Sequence, residues 1–283
     1  MNKLDSASVE NKESTCKVSH RALGEVYCLN APEARATLQE ICDDQLYLQS
    51  GVSISAGEVV VDIGANIGVF TLYAAKQGAQ VYAYEPIPPT YAVLKQNVQA
   101  HDLSRLVHTR NMGLSDRPEE KNMFHYPNLS VCDAWTAQDK LFEHLGDHWE
   151  NALEIIEAAD PDEVAAIRRL GSRSEQQAAV QKKIKGLSGS VVQMKCKFDT
   201  LSSVIAQEKI EFIDLLKLDA ELADWEILNG VTAKDWQRIR QLAMEVHVAD
   251  DISLISQFLQ DQGFARVASK QLKMGTGCIW AIK

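Results

Sequence analysis

An α/β fold is predicted for this chain: a mixed, mostly parallel sheet with an antiparallel C-terminal hairpin and a helical insertion. Three observations predict it. Short apolar, β-branched runs alternate with helical stretches from residue 58 to 111, a rhythm that calls for parallel pairing through right-handed crossovers. The same alternation resumes over residues 212–263. Between the two blocks the apolar residues recur at helical rather than strand spacing.

The elements follow in order. Residues 1–20 are rich in Ser, Lys, Glu and Asn and read as a flexible leader. Pro32 suits a first helical turn, which predicts a helix over 33–42. The run 58–63 (EVVVDI) reads as a strand buried on both faces. A helix over 69–77 follows, closed by Gly78, then a strand over 81–85. The stretch 88–101 puts Tyr91, Leu94 and Val98 on one helical face, and 106–111 forms a third strand. Residues 123–135 turn at Pro127-Asn128 and read as a hairpin. Residues 141–159 carry an apolar stripe of Phe142, Leu145, Trp149, Leu153 and Ile156. A second helix starts at Asp160-Pro161 and ends at Gly171, and a third runs from a capping box, Ser174 with Gln177, to Gly186. The core therefore divides into 21–135 and 189–283, around an insertion at 136–188 placed to act as a lid. In the second half 212–218 and 241–248 are strands, and 223–229 and 253–262 helices. Residues 264–268 and 278–282 make a closing hairpin with one antiparallel strand.

Composition narrows the function. The chain has 283 residues, 46% of them hydrophobic, enough to bury a large core without disulfides or metals as staples. Lys and Arg number 29 against 39 Asp and Glu, a formal charge of -10, which argues against coating nucleic acid. Mean hydropathy is -0.19 and no apolar run reaches membrane length, so no membrane span is expected. The N-terminal residues lack a signal-peptide core, which predicts a cytoplasmic protein. The six cysteines stand in no C-x-x-C pair and read as reduced, small hydrophobes. His144 and His148 read as a solvated helical face, and no metal site is expected. The cations Arg168, Arg169, Arg173, Lys182, Lys183 and Lys185 read as a charged helix face.

The chemistry is concentrated in one turn. Asp62-Ile-Gly64-Ala-Asn66-Ile-Gly68 joins the first strand of the core to its helix. Gly64 and Gly68 would let backbone N–H groups approach a ligand, and Asn66 tolerates a positive φ. Glu85 ends the next strand, where an acid can accept hydrogen bonds from both hydroxyls of a ribose. The spacing differs from the G-x-G-x-x-G of hydride-transfer enzymes, and Asp62 would sit awkwardly beside a pyrophosphate. It suits a cofactor with an amino group and a cationic sulfonium, S-adenosylmethionine, on a Rossmann-like core. A nicotinamide dehydrogenase is the competing nucleotide reading.

These residues carry a resemblance. VVVDIGANIGVFTLYAA, YAYEP, LLKLDAELADWEILNG and MEVHV are similar to the FkbM family of S-adenosylmethionine-dependent O-methyltransferases, over residues 45–120 and 195–283. The resemblance implies that Asp62, Gly64, Asn66 and Gly68 hold the methionyl end of the donor, Glu85 the ribose, and that Asn111 lies near the adenosine. The family's D-x-E-G-x-E block appears here as Asp219, Ala220, Glu221, Leu222, Ala223 and Asp224, with leucine in place of glycine.

Ligands bind beyond the carboxyl ends of parallel strands. Asp219 and Glu221 end one such strand and His247 the next. Methyl transfer to a hydroxyl needs a base, and histidine has the pKa for it. His247 is therefore the expected base, with Asp219, Glu221 or Glu245 orienting it. The expected acceptor is a small-molecule hydroxyl of polyketide type, free or presented by an acyl carrier protein, with neither nucleic acid nor membrane as partner. A catalytically inactive nucleotide-binding interaction module and an N- or C-methyltransferase are the alternatives.

Overall fold

The computed structural model describes residues 15–126, 153, 156–157, 160–188, 191–272 and 276–283. A seven-stranded sheet organises them, in the order β11–β12–β10–β9–β3–β4–β5. Its parallel strands are β3 (Val59–Ile63), β4 (Gln80–Tyr84), β5 (Val107–Arg110), β9 (Leu215–Leu218) and β10 (Gln241–Val246). The closing hairpin is β11 (Arg266–Gln271) and β12 (Gly277–Ile282), and β12 inserts antiparallel beside β10. The predicted fold class is thus what forms.

Period-two alternation explains why both faces are covered. Val60, Val81, Leu215 and Ala243 face one core, with Phe70 and Leu72 of α2 (Val69–Lys76) and Leu94 of α3 (Pro88–Ala100). Val61, Ile63, Leu216, Leu218, Leu242 and Met244 face the other. There they meet α6 (Leu201–Gln207), α7 (Asp224–Asn229) and α9 (Asp251–Asp261), with Trp236 of the short α8 (Ala233–Trp236). The caps of α6 and α8, Thr200 and Thr232, accept from Ser203 N–H and Asp235 N–H.

Three expectations need correction. The leader does not extend to residue 20: β1 (Cys16–His20) pairs antiparallel with β2 (Gly24–Cys28), and Val18, Leu23 and Val26 are buried. This hairpin docks on α3, where the Asn97 amide bonds both Tyr27 N–H and Tyr27 C=O. It leads into α1 (Ala31–Leu38), capped by Asn30, and a π-helical turn over Gln39–Asp43. Residues 1–14 lie outside the description. Second, residues 123–125 belong to β7 (Glu119–His125), a strand that begins earlier than expected and pairs with β8 (Val192–Asp199) across the insertion; the rest of the hairpin expected over 123–135, from 127 on, lies outside the described residues. With β6 (Gly113–Leu114), β7 and β8 form a separate sheet, order β6–β8–β7. Third, the last helix of the insertion is capped two residues earlier: Ser172 Oγ accepts from Glu175 N–H, and α5 spans Arg173–Ser188. Before it, α4 (Pro161–Arg168) is capped by Asp160, as expected. The predicted 141–159 helix is described only at Leu153, Ile156 and Glu157, and His144 and His148 lie outside the description. Of the basic cluster, Arg168 pairs with Glu157 and Lys183 with Asp160, as on an ordinary charged face.

Candidate active site

The turn after β3 is built around two close approaches. Gly64 and Ala65 N–H both donate to Tyr84 C=O, folding the chain over the end of β4. Gly64 has φ +70, and a Cβ there would stand 1.6 Å from the Asp219 carbonyl oxygen. Gly68 has φ +92 and abuts Leu94. Both glycines are thus required by packing of the chain on itself, and not only by the approach of a ligand. Asn66 takes the expected positive φ, 50°. Its N–H donates to Glu85 Oε2, while Ile87 N–H donates to Oε1. A carboxylate has about four acceptor sites, so Glu85 can latch the turn and still receive hydroxyl donors. Asn111 braces the same rim, donating through Nδ2 to the carbonyls of Glu85 and Pro86.

Beneath the turn lies a residue that sequence reasoning missed. Lys217 is buried in the middle of β9, its Nζ 2.8 Å from Gly64 C=O, 3.2 Å from Asp62 Oδ1 and 3.6 Å from Asp219 Oδ2. The Tyr47 ring lies 5.3 Å away. Burial alone would lower its pKa, but Asp62 and Asp219 outweigh that and hold it above the ordinary value. The available signal was a lysine inside the apolar run LLKL, where only a paired charge is tolerated. This corrects the role of Asp62. Its carboxylate is fully buried, accepts from the Thr71 hydroxyl and pairs with Lys217, so it faces inward and does not line the ligand cavity.

The cavity opens at the carboxyl ends of β3, β4 and β9. Gly64, Asn66 and Glu85 form one side and Asp219, Ala220 and Glu221 another; Ile87, Leu114, Met123 and Phe198 make an apolar end. The small sheet therefore supplies a wall of the site. Thr90 also lines the cavity, and its buried hydroxyl has no hydrogen-bond partner among the described residues. An acidic rim, an apolar slot and an unmet hydroxyl suit a nucleoside bearing a cationic tail.

On the far side of Asp219 the expected catalytic residues converge. His247 follows β10, its Nε2 3.6 Å from Asp219 Oδ1 and 3.5 Å from Glu221 Oε2. Its Nδ1 lies 3.4 Å from Asp224 Oδ1, and its N–H donates to Asp224 Oδ2. The orienting partner on Nδ1 is thus Asp224, which the sequence reading passed over. Burial disfavours charge on His247, yet Glu221, Asp219 and Asp224 together hold the imidazole well above its ordinary value. Burial also opposes ionisation of Asp219, but Lys217, His247 and the Tyr47 hydroxyl, 2.9 Å away, keep its carboxyl well below the usual range. Glu245 is pushed up to about 7 by burial and by the charge of Asp219. The donor atoms of Asp219, Glu245 and His247 lie within 4.8 Å of one another. Lys217 supplies a buried cation behind this acidic group.

A cavity at the carboxyl ends of a Rossmann-like sheet, beside a carboxylate–histidine pair, defines the class: a Rossmann-like methyltransferase fold. The chain belongs to the FkbM methyltransferase family, whose domain model, "Methyltransferase FkbM domain", matches residues 62–265. It is 33% identical over 249 residues to the 31-O-demethyl-FK506 methyltransferase FkbM of Streptomyces tacrolimicus, covering 86% of each chain. It is 27% identical over 251 residues to methyltransferase sdnD of Sordaria araneosa, covering 84% of this chain and 85% of that one. The AMB antimetabolite synthetase AmbE of Pseudomonas aeruginosa is 29% identical over 260 residues, which make up 11% of its length. In fold, it matches the methyltransferase FkbM of Methylobacillus flagellatus KT with a TM-score of 0.50 at 12% identity, over 84% of this chain and 47% of that one. Family and fold imply S-adenosylmethionine as the methyl donor. No helix among the described residues is long and apolar enough to cross a membrane.

Proposed function

We propose that this protein is an S-adenosylmethionine-dependent O-methyltransferase acting on a hydroxyl of a natural-product intermediate, free or presented by an acyl carrier protein. The observation that carries the reading is a shared wall. Asp219 and Glu221 line the donor cavity and also face His247 Nε2 at 3.6 and 3.5 Å. A base and an electrophile must converge on one oxygen, and this arrangement brings their binding groups together.

When bound, the donor supplies an electrophilic methyl group on a sulfonium. Gly64, Asn66 and Glu85 would hold it, and Thr90 offers its unmet hydroxyl at the nucleoside end. His247 accepts the hydroxyl proton at Nε2, and Asp224 keeps the ring oriented through Nδ1. Asp219 and Glu221 then stabilise the imidazolium that forms. Lys217 fixes Asp219 from behind. The names of the relatives above support a natural-product acceptor.

The test is formation of S-adenosylhomocysteine across a panel of free and carrier-bound hydroxylated intermediates. His247→Asn is expected to lower turnover about 10²–10⁴-fold and leave S-adenosylhomocysteine affinity within about twofold. Turnover equal to that of the native protein would remove His247 as the base.

A further inference from the structure

The loop after β9 contains a feature that its own packing does not explain. Glu221 and Leu222 both have positive φ, 34° and 65°. For Glu221 the left-handed turn has a use, since it aims the carboxylate at His247, 3.5 Å away. Among the described residues Leu222 joins no hydrophobic cluster that would favour this conformation. Its Cβ is crowded in this conformation, which glycine adopts freely. Its side chain is 40% exposed and joins neither of the two cores that flank the sheet. A strained, exposed leucine therefore sits between two residues of the cavity wall, Glu221 and Ala223. Backbone strain of this kind accumulates where a side chain serves a ligand.

The surroundings identify which ligand. Val248 follows His247 and is 43% exposed, so an exposed apolar residue flanks each member of the Glu221–His247 pair. An acceptor whose hydroxyl reaches His247 Nε2 arrives between the two loops that carry these residues. Asp219 and Glu245 cluster with His247, Glu221 lies 3.5 Å from its Nε2, and Lys217 is buried and committed to Asp62 and Gly64, which disfavours an anionic body.

We propose that Leu222 is a specificity-determining residue: with Val248 it forms an apolar shelf for the uncharged body of the acceptor alcohol, and the left-handed strain is retained for that contact. The inference rests on the methyltransferase reading above.

The test uses full-length protein saturated with S-adenosylhomocysteine, with cyclohexanol and glycerol as probes read by saturation-transfer NMR. The native protein is expected to bind cyclohexanol in preference to glycerol. Leu222→Gly should weaken cyclohexanol binding about tenfold, as loss of a buried leucine contact predicts, and should raise Tm without ligand because the strain is released. Val248→Ser should weaken cyclohexanol binding without raising Tm. Affinity for S-adenosylhomocysteine should stay within about twofold throughout. If S-adenosylhomocysteine binds but Leu222→Gly leaves cyclohexanol binding unchanged or lowers Tm, this proposal fails alone. If S-adenosylhomocysteine does not bind the native protein, the methyltransferase reading fails and the proposal falls with it.

Discussion

Replacing Lys217 by methionine is the sharpest test of how the donor turn is held. The substitution keeps the length and apolar stem of the side chain and deletes the charge. Nζ contacts Gly64 C=O at 2.8 Å and Ile63 C=O at 3.4 Å, and pairs with Asp62 at 3.2 Å and Asp219 at 3.6 Å. Asp62 has no exposed surface, and its Oδ1 makes no hydrogen bond among the described residues, so Lys217 is its compensating charge. Removing one partner of a buried pair costs about 3–5 kcal/mol, a large share of the roughly 5–15 kcal/mol that stabilises a domain. Urea unfolding followed by tryptophan fluorescence, extrapolated linearly to water, measures it. Lys217→Met with Asp62→Leu should recover most of the loss, because an apolar pair can replace a buried ion pair almost without cost. A residue of about 1 kcal/mol should remain, since the Thr71 hydroxyl loses its acceptor. A single variant within about 1 kcal/mol of the native protein would refute the reasoning.

Three further outcomes are expected. Gly113→Val should weaken S-adenosylhomocysteine binding by calorimetry, because a Cβ there would stand 2.3 Å from the Phe198 ring and must push it into the cavity. Glu245 is raised to about 7, so the native state takes up a proton that the unfolded chain releases near its ordinary carboxyl pKa. That contribution is fully present at low pH and is lost as pH rises through 7; relative to Glu245→Gln, the native protein should lose about 3 kcal/mol between pH 4 and 8 in urea titrations. His247 is held well above its ordinary value by Glu221, Asp219 and Asp224 and must be neutral to act as a base, so the pH–rate profile should rise with a midpoint above the ordinary histidine range, and Asp224→Asn should move that midpoint down. A midpoint at or below the ordinary histidine value would contradict that assignment.

The parts of the fold legible in the sequence are those with local periodicity. β3, α2, β4 and α3 follow from EVVVDI, the glycine turn and the Tyr91–Leu94–Val98 stripe, with ends shifted by a residue or two. The closing hairpin and its antiparallel strand were equally readable. The small sheet was not, because β7 and β8 pair across the insertion and each alone resembles an exposed, charged segment. The β1–β2 hairpin was hidden for a similar reason: its polar residues match a leader, and only docking on Asn97 reveals its buried face. In the site, the turn and Glu85 could be placed by motif, and His247 by its position after a strand. The inward direction of Asp62 could not, since an acid at that point reads the same whether it meets a ligand or a lysine 155 positions later. Asp224 stood in the sequence block that carried the resemblance, but its contact with His247 exists only through the helix start that follows β9. Leu222, which stands where the resembling sequence block has glycine, holds a left-handed conformation that glycine would adopt freely.

The central claim is that the cavity bounded by Gly64, Asn66, Glu85 and Asp219 holds the methyl donor. Thermal unfolding with and without S-adenosylhomocysteine tests it most directly. At a hundredfold excess over Kd the product form should stabilise the protein by about 2.7 kcal/mol, a rise in Tm of roughly 5–10 °C. NAD at the same concentration should leave Tm unchanged. No shift with S-adenosylhomocysteine, or an equal shift with NAD, would contradict the account.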